Sequence, residues 1–228
     1  SVTKKKLIYE NPLSCPEDVK NFRLEGQAKI SFPEGRMRLS SALDESLGQK
    51  ANFVYWCDRD FPPDLCVQWN FSPLKEPGLC ILFFAAKGRN GEDLFSPSLK
   101  PRTGEYEMYH HGDINAYHIS YFRRKWEEER SFHTCNLRKS YGFRLVAAGA
   151  DPIPSVCDAK PPYHMELIKL RDEISFSING LCVLHWIDRN AGPVLSGGKI
   201  GFRQMAPLSA EYSALRVFGF EEGKESQG

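Results

Sequence analysis

The stretch "YHMELIKLRDEISFSINGLCVLHWID", residues 163–188, decides the fold. Apolar and polar residues alternate through 163–167 and again through 173–178, the period of two that sends successive side chains to opposite faces of a strand. Asn179-Gly180 stands between 173–178 and the apolar run 181–187. Both residues accept positive φ, which the tight two-residue hairpin turn requires. Three consecutive strands, two of them joined by that turn, are therefore predicted here.

Working outward, "GGKIGFRQMA" (197–206) and "AEYSALRVFGF" (210–220) predict two more strands. Turn formers punctuate the rest of the chain at short intervals: "FPEG", "FPPD", "KEPG", "GRNG", "DPIP" and "KPP". Between them lie short segments rich in β-branched and aromatic residues, as in an all-β sandwich. They predict strands over 28–32, 36–40, 52–57, 65–71, 79–86, 115–124, 131–138, 142–148, 163–170, 173–178, 181–187, 198–205 and 211–220. Only "KWEEERSF" (125–132) reads as locally helical, and Arg123 to Arg130 reads equally well as a charged hairpin end. No repeat and no low-complexity linker divides the chain, so one domain over 1–228 is expected, its ordered core over about 7–220.

Composition narrows the function. Thirty basic residues against 29 acidic ones leave a net charge of +1, which gives no electrostatic case for nucleic acid. No run is long and apolar enough to predict a membrane-spanning helix, so no membrane partner is expected. The first residues carry lysines with no apolar run behind them, unlike a signal peptide. Seven cysteines, an odd number without a C-x-x-C pair, sit mostly among apolar neighbours. That pattern predicts free thiols and a cytoplasmic setting.

The succession of strand, strand, "NG" turn, strand, loop, "GKIGF" strand and closing strand resembles concanavalin A-like jelly rolls. Longer blocks sharpen the likeness: "FSPLKEPGLCILFFAAKGRNGEDLFSPSL", "RTGEYEMYHHGDINAYHISYFRRKWEEERSFHTCNLRKS", "GADPIP", "FSING" and "GKIGFRQMAP". They resemble the YesU-like family of bacterial proteins of unknown function, over almost the whole chain. The resemblance implies an all-β, antiparallel two-sheet jelly-roll sandwich. It also implies a carbohydrate setting, because such proteins accompany machinery that breaks down pectin-type plant polysaccharides. The concave sheet face of a jelly roll is where extended sugars lie.

Chemistry concentrates in "YHHGDINAYHISYFRR" (109–124), which holds three of the six histidines. On a strand over 115–124, Tyr117, Ile119 and Tyr121 face one way, and His118, Ser120, Phe122 and Arg124 the other. The next strand puts Thr134, Asn136 and Arg138 on one side. Paired as a hairpin, the two strands would gather His118, Ser120, Arg124, Thr134, Asn136 and Arg138 into one polar patch, with Asp93, Asn115 and Arg203 at its margins. The plain alternative is a solvated sheet face.

Such a patch suits β-elimination on an acidic oligosaccharide. His118 or Tyr121 would take the proton, His118 first because Tyr121 falls on the opposite face. Arg124, Asn136 and Arg138 would hold the carboxylate. Glycoside hydrolysis needs two facing carboxyl groups. Only Glu92, Asp93 and Asp113, all in loops, are available for it. A non-catalytic, lectin-like module is the third reading. Trp56 and Trp126, beside charged loops, are the candidates for stacking on a sugar, whereas Trp69 and Trp186 alternate with apolar neighbours as core residues do. Adjacent His110 and His111 would point apart on an extended chain, so with Asp113 they predict polar loop residues rather than a metal site. No motif calls for a cofactor.

Overall fold

Asn179 (φ 50°) and Gly180 (φ 79°) both take the left-handed conformation, and the strands on either side pair antiparallel across them. The same local rule, short strands closed by turn residues, builds the whole of the computed structural model, which describes residues 3–223. In chain order the strands are β1 (Thr3–Asn11), β2 (Arg23–Glu25), β3 (Ala28–Ser31), β4 (Met37–Ser41), β5 (Phe53–Trp56), β6 (Leu65–Lys75), β7 (Cys80–Gly88) and β8 (Ile114–Tyr121). Then come β9 (Thr134–Ser140), β10 (Arg144–Ala150), β11 (Tyr163–Leu170), β12 (Glu173–Ile178), β13 (Leu181–Ile187), β14 (Lys199–Gln204) and β15 (Ser209–Glu222). Two helical turns, α1 (Glu107–His110) and α2 (Glu127–Ser131), interrupt them, the second within the segment that reads as helical.

The strands form two antiparallel sheets, the jelly-roll sandwich. One has eight strands in the order β13-β12-β11-β6-β15-β4-β3, with β1 also paired to β15; the other has seven in the order β10-β9-β8-β7-β14-β5-β2. The segment 163–187 forms three neighbouring strands at one edge of the larger sheet. The last two strands do not lie beside them: β14 runs through the middle of the smaller sheet and β15 through the middle of the larger. Two strands have no counterpart in the sequence reading. β2 is only three residues long, and β1 lies largely exposed along β15, so neither carries a strong alternation.

Inward-facing residues of both sheets make the core, among them Trp69, Phe71, Leu82, Phe84, Tyr117, Ile119, Tyr121, Phe176 and Phe202. Their alternates on β5, β7, β8 and β14 point to the far side of the seven-stranded sheet. There Val54, Trp56, Ile81 and Phe83 form a second apolar cluster with Leu94, Leu99 and Tyr109. This explains why β7, at the centre of "GLCILFFAA", is apolar on both faces: the segment 89–112 covers the outer one. The face expected to be open is in part a covered one.

Candidate functional site

Register places the polar residues of the outer face in two rows. His118 on β8 pairs with Arg138 on β9 and Phe83 on β7, and Phe83 with Gly201 on β14. One step along, Ser120 pairs with Asn136 and Ile81, and Ile81 with Arg203. Gly201 is required where it stands, since a Cβ there would lie 2.4 Å from the Trp56 indole.

Glu25 on β2 ties down the covering segment. Its carboxylate accepts from Trp56 Nε1 (2.8 Å), Tyr109 OH (2.9 Å) and both Nε (3.0 Å) and Nη2 (2.8 Å) of Arg102. Gly104 packs where a Cβ would meet Asn52 O at 1.9 Å. Fixed in this way, the loop lays Tyr106 over the sheet, with its hydroxyl 2.7 Å from His118 Nε2.

Beside Tyr106 opens a cavity of about 180 Å³, lined by Ser120, Asn136, Arg123, Arg138, Arg203 and Trp126 among others. Arg203 is its unusual member. The side chain is fully buried, its guanidinium lies 4.8 Å from the Tyr106 ring centroid, and among the described residues only Nη2 is hydrogen-bonded, to Gln49 Oε1 and Gly104 O, both at 3.1 Å. Nε and Nη1 are buried without a partner, and no carboxylate pairs with the group among the described residues. Burial pulls its pKa down to about 10. Arg138 is half-buried and stacks 3.7 Å above the Phe143 ring, and it too has no carboxylate partner among the described residues. Burial lowers its pKa as well. Arg123, by contrast, is paired with Glu129 (2.8 Å) and Thr134 Oγ1 (2.7 Å).

His118 lies fully buried behind Tyr106, and its Nδ1 has no partner. Burial, then the positive charges of Arg138 and Arg203, hold its pKa well below the ordinary histidine value, so the ring is neutral. Burial raises the Tyr106 hydroxyl, against the pull of Arg203 and Arg138.

Of the residues expected at the site, Ser120, Asn136, Arg138 and Arg203 line the cavity, His118 reaches it through Tyr106, and Thr134 holds Arg123 at its edge. Others lie elsewhere. Arg124 is a correction: β8 ends at Tyr121, and Phe122 (φ 47°) takes the left-handed conformation, a rare state for a bulky residue. That twist breaks the alternation, so Phe122 joins the inter-sheet core and Arg123, not Arg124, reaches the cavity. Arg124 is buried between Glu76 and Asp151 and donates to Ile153 O.

Tyr121 is buried in the inter-sheet core against Trp69 and Phe71, with its hydroxyl pushed far up by burial, and cannot serve as a base. Trp56 is wholly covered, so it presents no ring to a sugar. Trp126, half exposed, does line the cavity. Glu92 and Asp93 act in their own turn, on the Asn90 and Phe95 amides, and Asp93 also accepts from Lys199. Asp113 accepts from the Lys100 amide and Asn115 from the Tyr141 amide, both outside the cavity. Sequence reasoning missed Tyr106 and Arg123, which come from loops, and Gln49, which comes from a short 3-10 turn (Glu45–Ala51); in none of them does a strand period mark the direction of a side chain.

The chain matches the family described as a domain of unknown function (DUF1961) over residues 6–217. It is 58% identical over 212 residues to the uncharacterized protein YesU of Bacillus subtilis (strain 168), covering 92% of this chain and 94% of the relative. The crystal structure of a Bacillus subtilis protein of unknown function with a galectin-like fold superposes with a TM-score of 0.92 at 54% identity, over 97% of this chain and all of that one. The carbohydrate recognition domain of Emp47p shares the fold, with a TM-score of 0.62 at 13% identity over 95% and 97% of the two chains. This chain therefore belongs to the YesU-like DUF1961 family.

Proposed function

We propose that the cavity binds a uronic acid unit of a pectin-type oligosaccharide and cleaves the chain by β-elimination. The single observation that carries the reading is Arg203, a fully buried guanidinium with two unpartnered nitrogens, Nε and Nη1, and no paired carboxylate among the described residues. Leaving a charge in that state costs several kcal/mol, of the order of 3–5 kcal/mol when a buried pair is broken. A ligand carboxylate held between Arg203 and Arg138 would recover it through charge-assisted hydrogen bonds. The fold shared with a domain named for carbohydrate recognition supports a saccharide as the carrier of that carboxylate.

Elimination needs a base at the carbon next to the carboxylate. Tyr106 Oη takes that proton as its own passes to His118 Nε2. A carbon–carbon double bond forms, the bond to the leaving oxygen breaks, and that oxygen receives its proton back through Tyr106. The bound carboxylate would make His118 a better acceptor, because it neutralises Arg138 and Arg203, two of the charges that depress the ring's pKa. The same guanidiniums would stabilise the enolate-like intermediate. Hydrolysis is less well served. Glu92, Asp93 and Asp113 do not line the cavity; of the two carboxylates that do, Glu129 is committed to Arg123 and the Lys125 and Trp126 amides, which leaves Glu128 without the second carboxyl group that hydrolysis needs.

Incubation with pectin-derived oligosaccharides tests this, with absorbance of the unsaturated uronate and reducing ends followed together. A rise in both is expected, and Tyr106→Phe should abolish it. Reducing ends alone would establish hydrolysis instead, and binding without either would make the protein a lectin.

A further inference from the structure

A file of rings leads away from the cavity. Phe143, under the Arg138 guanidinium, lies 4.8 Å from His110; His110 lies 4.7 Å from His111, and His111 5.4 Å from Tyr141. At the far end Arg89 stacks 3.9 Å above Tyr141. Phe143 (47% exposed) and Tyr141 (41% exposed) are large aromatic rings left open to solvent on a hairpin. The ridge is held in place: Gly142 N donates to His110 O at 2.6 Å, and Tyr141 N donates to Asn115 Oδ1 at 3.2 Å. Arg89 is exposed and pairs with no carboxylate among the described residues.

The ridge thus carries a stacked guanidinium at each end, with ring edges and faces between them. A guanidinium on a ring is pre-organised and binds carboxylates as a fork, while ring surface matches the apolar face of a sugar. We propose that this ridge is a second subsite, which holds the neighbouring units of a polyuronate and takes a further carboxylate at Arg89. The inference rests on the cavity reading and narrows it: the preferred ligand is a chain carrying several carboxylates, not an isolated uronate. Charge complementarity and continuity with Arg138 in the cavity select that occupant over a neutral glycan.

Binding of a uronate dimer and a hexamer is measured calorimetrically in a Tyr106→Phe background, so that the chains stay intact. The hexamer should bind at least about tenfold more tightly than the dimer. Arg89→Gln and Tyr141→Ala should each remove about tenfold of the hexamer's affinity and leave the dimer's unchanged. If neither variant alters hexamer binding, or if both weaken the dimer equally, the subsite is overturned while the cavity stands. If Arg203→Met binds the dimer as well as its parent does, the cavity reading has failed, and the inference that rests on it falls too.

Discussion

Two charged neighbourhoods share the outer face of the seven-stranded sheet, and they are finished differently. Around Glu25, four donors from Trp56, Arg102 and Tyr109 converge on one carboxylate. Around Arg203, in the same register row two strands over, two nitrogens of a buried guanidinium face no acceptor. Buried polar groups are ordinarily satisfied, so the first neighbourhood is what stability alone would produce. The second departs from it, and the departure borders a cavity. The contrast separates a residue that holds the loop from one that, on the proposed function, would take a ligand carboxylate.

The sharpest way to break the contrast is Glu25→Ala. It strands the Arg102 guanidinium and two further donors in a covered cluster, and should cost about 3–5 kcal/mol in urea unfolding, the scale of a broken buried ion pair. Arg203→Met should go the other way, since exchanging a buried charge for an apolar side chain is neutral or stabilising by about 1–4 kcal/mol. The same variant should lose uronate binding, so stability and binding would move in opposite directions. A comparable loss of stability in both variants would erase the distinction.

Acid offers a third approach. His118 has its folded pKa depressed well below the 6.5 of the free side chain, first by burial. Between those two values the unfolded chain holds a proton that the folded one does not. Stability is therefore intact above about pH 6.5 and falls on acidification, by about 1.4 kcal/mol per pH unit for this one group. His118→Phe should flatten the slope of stability against pH over that range. The smallest effect is expected at the cavity's edge: Thr134→Val removes one hydrogen bond to Arg123, worth about 0.5–1.5 kcal/mol. Glu129 should keep Arg123 in place, with uronate affinity nearly unchanged.

Strand parity was the most legible part of the site. "YHISY" (117–121) alternates without interruption, and so His118 and Ser120 could be set beside Arg138 and Asn136, as the register has them. The reading failed at Phe122, because a positive φ at a bulky residue has no signature in the chain, and every position after it changes face. It failed again at Trp56. The neighbouring "CDRD" suggested an exposed ring, but Arg102 and Tyr109, some fifty residues later in the chain, cover it through Glu25. Tyr106 stayed out of reach for the same reason: it is placed by loop hydrogen bonds to distant residues, not by any local period.

The left-handed turn at Phe122 sorts two adjacent arginines into separate lineages of constraint. Arg124 is locked to Glu76, Asp151 and the Ile153 carbonyl inside the sandwich, so any exchange there disturbs folding. Among the described residues, the Arg123 side chain is held by Glu129 and Thr134 at the cavity rim. Exchange of the side chain at residue 123 therefore reshapes the cavity rim, whereas exchange at residue 124 reaches into the sandwich, although the two sit side by side in the chain.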